Sequence, residues 1–174
     1  MKKTSKMVYL ALLVAQALVL HIFESMIPVP FITPGAKLGL SNLVTVIALY
    51  TLDDYKDAFL VILMRITLAT MFGGNLSSFM YSIGGGVLSF AAMVITKELF
   101  KDKVSIIGVS SSGAVFHNVG QLLVAAAIVR NLGITVYLPV LSIAGIGTGI
   151  FIGVSANYLT KHLKKIPYFK KIKQ

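Results

Sequence analysis

Cysteine is absent from this chain of 174 residues, which excludes disulfides, thiolate metal sites and cysteine nucleophiles. Acidic residues are scarce, at six, and charged residues of either sign make up only 13%. A soluble domain of this length needs a charged surface that is missing here. No Walker pattern occurs, so no ATP site is expected. What is present is apolar: 56% of residues are hydrophobic and the mean hydropathy is +0.86.

A membrane-spanning helix needs about 20 mostly apolar residues. Met7–Ile27, Leu76–Ile95, Ile106–Val129 and Val136–Leu159 meet that requirement. Leu38–Leu52 is short but uncharged, and Asp57–Phe72 is similar but carries Arg65 at its centre. Both can span if neighbours tilt and the bilayer thins locally. The expectation is an all-α integral membrane bundle of about six helices, forming a single transmembrane domain over residues 1–174, with no room for an added soluble enzyme domain. The first segment follows Lys2, Lys3 and Lys6 as a signal peptide would, but it is too long and lacks a clear cleavage site, so it reads as a retained helix.

Six spans put both termini on one side. With the N-terminus inside, the inner segments hold Lys2, Lys3, Lys6, Lys56, Lys97, Lys101, Lys103, Lys161, Lys164, Lys165, Lys170, Lys171 and Lys173. The outer loops hold Lys37 and Arg130, and Arg65 lies in the membrane. That asymmetry of 13 to 2 predicts cytoplasmic termini. It also explains the net charge of +10 through contact with anionic lipid headgroups, with no nucleic-acid partner required. The outer loops are Pro28–Lys37, Gly73–Asn75 and Asn131–Thr135. The first, stiffened by Pro28, Pro30 and Pro34, either caps an outward cavity or is a plain rigid connection.

Polar groups inside a bilayer are costly and mark sites by default. His21 and Glu24 lie one turn apart in the outer half of the first span, Arg65 in the middle of the third, and His117, Asn118 and Gln121 in the fifth. Lys37 and Asn42 flank the outer end of the second, and Asn75, Ser77, Ser78, Tyr81 and Ser82 the outer start of the fourth. The expected binding residues are Glu24, Lys37, Asn42, Arg65, Asn75, Tyr81, His117, Asn118 and Gln121, around an outward-open pocket suited to a small anionic or zwitterionic ligand. His117, Asn118 and Gln121 are expected to share that cavity with Asn75 and Tyr81, with Arg65 at its floor. The bland alternative is an internal network in which Glu24 pairs with Arg65 and the amides bond to backbone. No catalytic residue, metal site or cofactor is expected.

Ala11 and Ala15 form a small-xxx-small pair, and Gly145, Gly149 and Gly153 repeat that spacing, which permits close helix approach. Gly84, Gly85 and Gly86 mark either a flexible point or a tightly packed one. Asp53-Asp54-Tyr55-Lys56-Asp57 fits the D-D-x-x-D pattern by which prenyl synthases hold a metal diphosphate, but those enzymes carry two such motifs around a deep cavity and this chain has one.

Four strings appear in order: Tyr9-Leu-Ala-Leu-Leu-Val-Ala15, Pro34-Gly-Ala-Lys-Leu-Gly-Leu-Ser-Asn42, Ser77-Ser-Phe-Met-Tyr-Ser-Ile-Gly-Gly85 and Gly113-Ala-Val-Phe-His-Asn-Val-Gly-Gln-Leu122. Together they resemble the Gx transporter family, also named heptaprenyl diphosphate synthase component I, of Gram-positive and related bacteria. That family looks like the substrate-binding S components of energy-coupling-factor (ECF) transporters. The resemblance implies a bacterial plasma-membrane protein that binds a small molecule from outside. It implies docking through Ala11 and Ala15 on a transmembrane coupling subunit driven by ATPase subunits. The synthase name implies instead a partner of a prenyl-chain enzyme; nothing in these residues supports catalysis by this chain itself.

Overall fold

The computed structural model describes residues 3–26, 39–72 and 74–166. The whole Pro28–Lys37 loop with Lys37, Gly73 and the basic end after Ile166 lie outside the described residues. Among the described residues six α-helices run in order: α1 (Lys3–Met26), α2 (Asn42–Thr51), α3 (Tyr55–Met71), α4 (Leu76–Phe100), α5 (Ile106–Val129) and α6 (Leu138–Leu163). Short 3-10 turns, Lys101–Lys103 and Leu132–Tyr137, precede α5 and α6. The described residues contain no strand. Helix starts are set by polar caps: Asp54, Asn75 and Ser105 each accept a backbone N–H of the turn they open.

Four helices, α1, α4, α5 and α6, are long and apolar enough to cross a membrane. The expected second span is different. Its helix has only 10 residues, so it rises about 15 Å against a hydrocarbon core of about 30 Å. It is buried on nearly every side, through Asn42, Val44, Thr45, Val46, Ile47, Ala48 and Leu49. Its lack of charge therefore reflects a place inside the protein, covered by other helices. Large apolar residues such as Leu12, Phe23, Leu123, Ile143 and Phe151 are exposed on the outer faces of the long helices, where lipid would meet them.

Small residues set the packing of the second half. A Cβ at Gly120 of α5 would lie 2.7 Å from the Gly84 carbonyl carbon of α4, and one at Gly149 of α6 would lie 2.5 Å from Ser111 Cα of α5. Backbones therefore touch at both crossings. Helix α4 runs unbroken through Gly84–Gly86, so that triplet is a packing point. On the other half, Lys6 of α1 pairs with Asp57 of α3 at 2.5 Å. Tyr9 of α1 bonds Thr51 of α2 at 2.8 Å. Lys97 of α4 donates to the Leu49 carbonyl of α2 at 2.9 Å, with its ammonium 4.8 Å and 4.9 Å from the Tyr50 and Tyr55 ring centroids.

Candidate functional site

The polar groups of four helices meet in the protein interior, against glycines of a fifth. Helix α1 brings His21 and Glu24 to the buried face that also holds Leu13 and Ala17, since these positions recur every three or four residues. The turn leading into α2 supplies Gly39, Ser41 and Asn42, α3 supplies Arg65, and α5 supplies His117 and Gln121. All of these side chains are buried.

Arg65 is anchored from one end. Its Nη1 donates to Ser41 Oγ and lies 3.5 Å from His21 Nδ1. Glu24 accepts the Gly39 backbone N–H, which fixes the turn before α2 to the end of α1. Gly39 has φ +85°, a left-handed conformation that disfavours side chains, and a Cβ there would sit 3.0 Å from Asn42 Nδ2 and 3.1 Å from the His117 ring. Gln121 Nε2 lies 2.9 Å from His117 Nε2. The ring then abuts Gly85 of α4, where a Cβ would lie 2.9 Å from His117 Nδ1. Gly86, next along, faces Arg65, with Nη2 3.6 Å from where its Cβ would be. Gly39, Gly85 and Gly86 thus let the Asn42, His117 and Arg65 side chains come up to the backbone, where a Cβ would crowd them.

The cluster gathers Glu24, Asn42, Arg65, His117 and Gln121 from the expected binding residues. Tyr81 is buried on α4. Two expected members are elsewhere. Asn75 is exposed and caps α4 by accepting the Ser78 N–H at 2.7 Å. Asn118, one residue past His117, is turned about 100° around α5 and donates to the Leu141 carbonyl of α6 at 2.8 Å. It belongs to the α5–α6 seam, and the expectation that it shares a cavity with His117 and Gln121 is not met. The internal-network alternative is met in part: Asn118 bonds backbone, and the Glu24 carboxylate attracts Arg65 electrostatically without a contact ion pair among the described residues. Ser41 and Gly39 were missed as members; their signal was the Gly-x-Ser-Asn turn at the head of an uncharged segment. The acidic motif is divided, with Asp54 capping α3 and Asp57 paired to Lys6.

A second feature lies on the outside of the first half. Ala11 and Ala15 are exposed and line an apolar groove of about 440 Å³ between α1 and α3. Leu60, Val61, Met64 and Leu68 form its α3 wall. The short alanines give the groove its depth. The four-residue spacing of Leu60, Met64 and Leu68 was the legible sign of that wall.

The family described as heptaprenyl diphosphate synthase component I matches residues 13–159. The chain belongs to that family. The matched residues of this component I family member include every member of the buried cluster and one of the two groove alanines, Ala15. No curated protein and no solved structure matches the chain.

Proposed function

We propose that this component I family member is a membrane-embedded substrate-binding subunit for ATP-driven uptake of a small molecule, non-catalytic in itself. The observation that carries the reading is the buried cluster of Arg65, His117, Asn42 and Gln121 at the meeting of otherwise apolar helices. Such groups are expensive in a bilayer and are retained where they bind something. Their positions, at the end of α1, the start of α2 and mid-depth of α3 and α5, favour access from the side of the Pro28–Lys37 loop. Lys37 joins the ligand-binding residues on the sequence argument alone. The lysine distribution supports cytoplasmic termini in a bacterial plasma membrane, with the basic segments on anionic lipid.

The groove supports the docking half of the reading. An exposed apolar trough floored by Ala11 and Ala15 suits a helix of a transmembrane coupling subunit, itself driven by ATPase subunits. The test is affinity purification from native membranes. Wild type should bring down a coupling subunit and ATPases. Ala11→Leu with Ala15→Leu should lose them while the bundle stays folded, because the added side chains fill the groove from its exposed face. Retention of those partners by the double variant would remove the groove from the docking surface.

The family description favours a second reading, a non-catalytic membrane subunit associated with heptaprenyl diphosphate synthesis. The same purification separates the two: a soluble prenyl synthase in place of ATPases would establish the second and retire the first.

A further inference from the structure

Several N–H donors of the buried cluster make no hydrogen bond among the described residues. Arg65 is 3% exposed. Its Nη1 is engaged by Ser41 and His21, whereas Nε and Nη2 have no hydrogen-bond partner among the described residues. These two nitrogens form one edge of the guanidinium. Their N–H bonds run parallel, at the spacing of the two oxygens of a carboxylate or phosphate.

Two further donors share that lack. Asn42 Nδ2 and His117 Nδ1 are buried and make no hydrogen bond of good geometry among the described residues, although the Gly85 backbone lies against the His117 ring. The His117 proton is on Nδ1 because Gln121 offers an amide N–H₂, a donor only, to Nε2. Around Gly39, Asn42 Nδ2 and the His117 ring stand beside one another; His117 Nδ1 and Arg65 Nη2 abut the consecutive glycines Gly85 and Gly86. All the unsatisfied groups of these three side chains are therefore N–H donors, gathered where the backbone carries no side chains. Buried donors without acceptors are costly, and a buried guanidinium without a contacting carboxylate more so. The Glu24 carboxylate attracts Arg65 electrostatically, but among the described residues no carboxylate lies within ion-pair distance of the guanidinium.

We propose that the Nε–Nη2 edge of Arg65, with Asn42 Nδ2 and His117 Nδ1, recognises an oxyanion group, a carboxylate or a phosphate, on the molecule this subunit binds. The inference rests on the binding-subunit reading and names the class of its ligand. Ser41 and His21 are positioning residues: they hold Nη1 and leave the Nε–Nη2 edge without a hydrogen bond among the described residues.

The test uses full-length protein in mild detergent as wild type, Arg65→Lys and Asn42→Leu. Small molecules released by denaturation are split between aqueous and organic phases and identified by mass spectrometry. One molecule bearing a carboxylate or phosphate should accompany wild type and fall about tenfold or more in Arg65→Lys, since lysine keeps the charge but lacks the paired edge. Recovery in the aqueous phase identifies a soluble ligand, and recovery in the organic phase a lipid headgroup; both uphold the oxyanion. Helical circular dichroism checks folding, and if Arg65→Lys does not fold, the same loss in Asn42→Leu decides.

Protein stripped of that molecule is then melted with acetate, inorganic phosphate or acetamide. Acetate or phosphate should raise the melting temperature of wild type and leave the variants unmoved. A bound molecule with no acidic group, or acetamide acting as well as acetate, overturns the oxyanion while the binding-subunit reading stands. No molecule in either phase and no shift with any probe means that water fills the space, and overturns both.

Discussion

Gln121 and His117 stand one turn apart on α5, and the amide nitrogen of the first lies 2.9 Å from Nε2 of the second. The amide is a donor, so the ring accepts at Nε2 and is held as the neutral tautomer with its remaining N–H toward α4. Gln121→Leu removes the donor that faces that nitrogen among the described residues and strands a buried acceptor. The expected loss is about 1–3 kcal/mol of stability. With neither tryptophan nor cysteine in the chain, far-UV circular dichroism melting in detergent is the suitable measurement. An unchanged melt would mean that Gln121 does not fix the ring.

Asn118 predicts a different outcome, although it adjoins His117 in sequence. Its bond to the Leu141 carbonyl ties α5 to α6, away from the cluster. Asn118→Leu should cost about 0.6–1.7 kcal/mol, the range for hydrogen bonds between membrane helices. The amount of co-purified small molecule should stay at the wild-type level. Loss of that molecule with an unchanged melt would place Asn118 in the binding site after all.

The α4–α5 crossing is intolerant of bulk. At Gly120 even a methyl group meets the Gly84 backbone, which cannot rotate aside as a side chain does. Gly120→Ala is expected to force the helices apart and cost about 1–3 kcal/mol, as overpacking does elsewhere. Gly147 is the control, because a Cβ there meets nothing within 4 Å. Gly147→Ala should be neutral or slightly stabilising, since alanine favours helix. Equal melting temperatures for the two variants would refute the close crossing.

The lysine distribution predicts cytoplasmic termini, and labelling tests that orientation. In cells, Thr33→Cys should react with a membrane-impermeant thiol reagent, and Lys101→Cys should react only after the membrane is opened. The natural chain has no cysteine, so each variant carries one reactive thiol. The reverse pattern would invert the topology and place the proposed access route on the cytoplasmic side.

The long helices were legible in the sequence because spanning length and apolarity are local properties, set by the bilayer's thickness. Helices α1, α4, α5 and α6 accordingly stand close to where hydropathy placed them. The same reasoning could not tell how Leu38–Leu52 is covered, since an uncharged stretch looks alike whether lipid or protein surrounds it. Only packing separates the two cases, and packing buries α2 on almost every side.

The site divides along the same line. That Glu24, Arg65, His117 and Gln121 must turn inward was determined by the cost of polar groups in hydrocarbon, which each residue carries wherever the chain takes it. Which of them meet was decided by tertiary structure. One step of 100° along α5 separates His117, facing α4, from Asn118, facing α6. The choice of Ser41 as the anchor of Arg65, and of the Nε–Nη2 edge as the one left open, depends on three segments arriving at one point. Helical spacing fixes directions within a single helix; it holds no information about the distance to the next, which side-chain packing at the glycine crossings sets.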